Sequence, residues 1–102
     1  MPSPLWRKMH EILVEAQTHR NERNGWLPDP ETGRDTLDWI LFERNTMFTA
    51  VNAERNRRGL EPISMRRFTI AESVAAGHVD YTSKFALYCA EMADGTYSPG
   101  RE

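Results

Sequence analysis

Residues 36–62 read TLDWILFERNTMFTAVNAERNRRGLEP, and this stretch decides the fold. Leu37, Ile40, Leu41, Phe48 and Val51 fall on one side of a 3.6-residue period, and Trp39, Phe42, Ala50 and Ala53 widen that stripe. The pattern predicts a long helix from Asp35 or Thr36 to Arg58, with an apolar arc broad enough to be packed from several sides. After Ala53 the chain turns wholly polar. Gly59 then supplies a left-handed C-cap, and Pro62 blocks any continuation. Arg55, Arg57 and Arg58 complement the negative end of the helix dipole.

The flanking segments read the same way. Upstream, Ser3 is an N-cap and Pro4 occupies the first helical position, where its missing N–H costs nothing. Leu5, Met9, Ile12, Leu13 and Ala16 form the inward stripe, with Glu11, Glu15, Thr18 and Glu22 on the wet face, and Asn24-Gly25 ends the helix. Residues 24–34, NGWLPDPETGR, are too rich in Pro and Gly for regular structure and predict a loop. Downstream, Ser64 caps a short helix through Ala76 that turns Phe68, Ala71, Val74 and Ala75 inward. Gly77 stops it, Asp80 caps a fourth helix carrying Tyr81, Phe85, Tyr88, Cys89 and Met92, and Gly95 ends that one. Residues 96–102 predict a fraying tail. The expected fold is all-α: a compact single-domain bundle of about four helices around a long central helix.

Composition narrows the function classes. The chain has 102 residues, 39% of them hydrophobic and 27% charged. One core of this size can be buried, and no segment approaches the ~20 apolar residues of a membrane span. Cys89 is the single cysteine, so an intramolecular disulfide is impossible, and the N-terminus carries no secretory pattern. The expected address is the cytoplasm. The net charge of −2 hides segregation: residues 1–43 carry −3, residues 44–67 carry +4, and residues 68–102 carry −3. Eleven of the thirteen basic residues are Arg, a bias that suits a GC-rich genome.

Chemistry-bearing motifs are sparse. His10, His19, His78 and Cys89 show no metal-ligand spacing, so neither a metal nor a cofactor is expected. Glu15 and His19 lie one helical turn apart, a spacing common on solvated helices. Cys89 sits among apolar neighbours and reads as a small core residue. No Gly-rich phosphate loop or nucleophile elbow occurs, and an enzyme is not expected.

Two features suggest binding. Trp26 and Leu27 are large apolar residues in a polar loop, either a lid folded back on the core or an anchor for a protein partner. The island Arg55, Arg57, Arg58, Arg66 and Arg67 reads first as a solvated helix end paired with Glu54 and Glu61, and otherwise as a patch for phosphate or an acidic protein. Residues 64–92 also scan as helix, glycine turn, helix, with small Ser73 four residues before Gly77. A DNA-binding regulator is therefore the alternative. It is weakened by Asp80 at the entry of the second helix, by Lys84 as its lone base, and by Ser83 where such motifs carry a buried aliphatic residue.

The segment GHVDYTSKFALYCAEMADG, residues 77–95, resembles segments of small uncharacterised proteins of actinobacterial phages and prophages. The resemblance covers about a fifth of the chain and transfers no active-site residue. It implies an accessory protein made inside a bacterial host cell, engaging a host protein or itself. The expected function is accordingly non-enzymatic protein–protein interaction, without a membrane and without a cofactor.

Overall fold

Local signals place the helix boundaries at Ser3, Gly59, Ser64, Gly77, Asp80 and Gly95. In the computed structural model, which describes residues 3–24 and 36–97 (side chains over 3–18 and 41–97), four helices follow in order: α1 Pro4–Asn24, α2 Thr36–Arg57, α3 Met65–Ala76 and α4 Tyr81–Asp94. The Ser3 hydroxyl accepts from the Trp6 N–H at 3.0 Å, the Ser64 hydroxyl from the Arg67 N–H at 3.2 Å, and the Asp80 carboxylate from the Ser83 N–H at 3.4 Å. Each satisfies one of the orphan donors at a helix start. Gly59 at φ 74° and Gly95 at φ 83° take the left-handed conformation. After each, an N–H reaches back to close the helix: Leu60 to the Arg55 carbonyl and Thr96 to the Glu91 carbonyl, both at 2.8 Å. Gly77 differs, ending α3 in a right-handed conformation at φ −78°.

The expected all-α single domain is the one observed, and among the described residues there is no strand. The element most enclosed by its neighbours is the short α4 rather than the long α2. It packs against α1, α2 and α3, and none of its fourteen residues is fully exposed. Its small residues explain this. Ala86, Cys89, Ala90 and Ala93 let neighbouring helices approach on more than one side, and all four are buried. In the long helix the inward face is narrower than its sequence suggests. Met47 and Val51 are fully buried, but Leu41 and Phe42 are 39% and 41% exposed and Ala53 lies at the surface. Phe42 is thus not a core residue, a correction of the expectation above; the side chain of Trp39 lies outside the described residues.

An aromatic run crosses the centre. Phe48 meets Phe68 edge-on at 5.4 Å, Phe68 meets Phe85 at 5.6 Å, and Tyr81 stacks on Phe85 at 5.5 Å, joining α2, α3 and α4. Polar ties complete it. The Trp6 indole N–H donates to the Ser83 carbonyl at 3.2 Å, fastening the start of α1 to the start of α4. Asn52 pairs with the backbone of Ile63 in both directions, at 2.8 and 3.3 Å, and so pins the α2–α3 connection to α2.

Candidate functional site

The five arginines of the basic island do not form one patch. Arg55 is turned inward. Its Nε donates to the Glu61 carbonyl and its Nη1 to the Met92 carbonyl, both at 2.6 Å, so it holds the last turn of α4 against the α2–α3 connection. Arg57 and Arg58 both pair with the Glu54 carboxylate, Arg58 at 2.9 Å, and Lys8 from α1 joins at 3.3 Å. Only Arg66 and Arg67, at the start of α3, are exposed with no ion pair among the described residues. The pairing expected for Glu61 is made by its backbone carbonyl rather than its carboxylate. Arg55 therefore has a structural role within the fold. Sequence order put these side chains together, whereas the turn at Gly59 and the packing of α4 separate them. Trp26 and Leu27 lie outside the described residues.

Cations around Glu54 hold its carboxyl at about 2, well below the ordinary 4.5, chiefly through hydrogen bonds from Arg57 and then Arg58. The unfolded chain protonates first, so this group's stabilisation is complete above pH 4.5 and drains away as pH falls toward 2. The partners are about half exposed, which limits the pairing to ~1 kcal/mol. We expect the melting temperature of the parent to rise through this window more steeply than that of Glu54→Gln. Parallel profiles would show that the cluster contributes nothing.

Two buried carboxylates were not foreseen from the sequence. Glu72, on the inner face of α3, accepts from Arg44 Nε at 2.7 Å and ties α3 to α2. Glu43 accepts from the Gln17 amide at 2.8 Å across the α1–α2 contact. The available signal was positional: Glu72 falls one turn after Phe68 and one turn before Ala75, within an inward stripe.

Cys89 is fully buried, and burial followed by the charge of Glu72 pushes its thiol well above the ordinary range. Native protein should react with an aromatic disulfide reagent far more slowly than urea-unfolded protein. Comparable rates would place the thiol at the surface. Among the described residues, no group of three His, Cys, Asp or Glu side chains converges on a point where a metal would bind. The imidazole of His10 stacks on Trp6 at 4.7 Å.

A concavity lies elsewhere, between α1 and α2. It is a groove of about 840 Å³ whose apolar lining includes Ile12, Val14 and Phe42, with Thr46 on α2 and Glu11 and Glu15 along its α1 side. Val14 is 39% exposed. Glu11 and Glu15 are exposed and carry no ion pair among the described residues. The reading of the sequence placed both acids on the wet face of α1 and passed over Val14 beside them. Nothing local signals which side of α1 the described part of α2 packs against. No described helix is long and apolar enough to cross a membrane. Comparison of the chain with protein-family models, curated proteins and solved structures finds no match.

Proposed function

We propose that this chain is a non-enzymatic helical accessory protein that binds another protein, or itself, inside a bacterial cell. One observation carries the reading: an open groove with an apolar lining, between two helices of an otherwise well-packed bundle, edged by carboxylates with no ion pair among the described residues. Grooves of this kind accept the apolar face of an amphipathic helix. The resemblance of residues 77–95 to small actinobacteriophage proteins, with the preference for Arg over Lys, supports a phage or prophage origin and a cytoplasmic setting. The DNA-binding alternative has less support in this geometry. In the helix-turn-helix reading α4 would enter the groove, but α4 has no fully exposed residue, and Ser73 faces outward instead of packing the turn.

A photocrosslinking residue placed at position 14 in the native cell tests the proposal, with position 49 on the exposed surface of α2 as control. Adducts from position 14 and none from position 49 are the expected result. No adduct from either position would remove the groove as a protein-binding surface.

A further inference from the structure

We infer that the groove between α1 and α2 receives the start of α3 from a second copy of this chain. The inference rests on the reading of the groove as a protein-binding surface and names its occupant. The acceptor is Val14 beside Glu11 and Glu15, which sit one turn apart on α1 and carry no ion pair among the described residues. The complement is on the same molecule. At the start of α3, Arg66 and Arg67 are exposed with no ion pair among the described residues, and Ile70, 51% exposed, follows them by one helical turn, with Met65 beside them at 38%. Each surface is an exposed aliphatic residue flanked within one turn by two charges, and the signs are opposite.

Seating Ile70 against Val14 would bring Arg66 and Arg67 to Glu11 and Glu15. Two exposed aliphatic surfaces would be covered and four charges partnered in one contact. Other cations are already committed inside the fold: Lys8, Arg57 and Arg58 to Glu54, Arg44 to Glu72, and Arg55 to two carbonyls. Arg7 on α1 and Lys84 on α4 also carry no ion pair among the described residues, but each stands alone, so the adjacent pair on α3 is the match for the two acids of the groove. Groove and α3 surface lie on different elements, so two copies can exchange both contacts around a two-fold axis or extend head to tail.

Sedimentation velocity over a range of concentrations tests this on the intact chain. The parent protein should shift above the monomer position as concentration rises, and should shift back as salt is raised, because both charged pairs lie at the surface. Arg66→Glu/Arg67→Glu and Glu11→Arg/Glu15→Arg should each associate at least about tenfold more weakly. All four positions are exposed, so the helical spectrum and melting of each variant should match the parent. Neutral variants, Arg66→Gln/Arg67→Gln and Glu11→Gln/Glu15→Gln, provide the same test should a reversal disturb folding. An equimolar mixture of the two reversed variants should recover the association that neither shows alone. A parent that stays monomeric, variants that associate normally, or a mixture that fails to recover would each overturn the inference. Monomeric behaviour combined with crosslinks from position 14 to a different protein would overturn self-association while leaving the groove as a binding surface.

Discussion

Phe68→Ala should lower stability by ~3–5 kcal/mol, the usual cost of emptying a buried aromatic site. Phe68 is fully buried at the meeting point of three helices, with its ring in edge contact with Phe48 of α2 and Phe85 of α4. Both neighbours are themselves held in place: Phe85 is fully buried and stacked by Tyr81. Collapse into the space left by the ring would have to move helix backbone, so the cavity would largely remain. A loss of this size is a large share of the ~5–15 kcal/mol that holds a domain together. It should lower the melting temperature by more than ~12 °C, since ~1 kcal/mol moves a domain of this length by ~4–8 °C. Ile70→Ala, two residues along the same helix and half exposed, provides the comparison and should change stability by less than ~1 kcal/mol. Thermal denaturation followed by circular dichroism reads both. Similar melting for the two variants would mean that α3 does not supply the centre of the core.

Arg55→Met should cost ~2–3 kcal/mol although the side chain lies near the surface. Charge-assisted hydrogen bonds are worth ~1.5–3 kcal/mol each, and partial solvent access puts the two-bond total near the upper end of one. Both acceptors are main-chain carbonyls outside the regular helix ladder: Glu61 in the α2–α3 connection, and Met92 in the last turn of α4, which also takes a long 3.4 Å bond from the Gly95 N–H. Methionine keeps the aliphatic stem and removes the donors. Arg55→Lys should recover only part of the loss, because one ammonium on a flexible stem does not reproduce the rigid two-pronged donor. Arg66→Met and Arg67→Met should change the urea midpoint little, as both side chains are exposed and neither has an ion pair among the described residues. Equal effects at Arg55 and Arg67 would mean that Arg55 is also merely solvated.

That contrast marks the boundary between what residues announce and what packing assigns. Caps are local. The hydroxyl of Ser3 or Ser64, the carboxylate of Asp80 and the left-handed glycines at 59 and 95 need only neighbours within about five residues, so these helix ends can be read from sequence order. The inward stripes of α1 and α3 are legible for the same reason: Met9, Leu13, Phe68, Ala71 and Ala75 repeat at the helical period and are buried. The alternation of four amphipathic segments with three breaks was enough to establish the all-α bundle.

Tertiary structure decided the rest. Leu41 and Phe42 belong to a stripe that continues to Val51, yet their exposure depends on how much of α2 its neighbours cover. Whether an arginine is clamped, paired or free depends on which carbonyl or carboxylate a distant segment brings near. Met92 lies 37 residues from Arg55, and Glu72 lies 28 from Arg44. The groove beside Val14, Glu11 and Glu15 exists because α2 brings Phe42 and Thr46 alongside α1, a contact between residues about 30 apart in the chain. Periodicity records which residues of a helix share a face. It carries no information about which faces find a neighbour, because that depends on contacts between segments far apart in the chain.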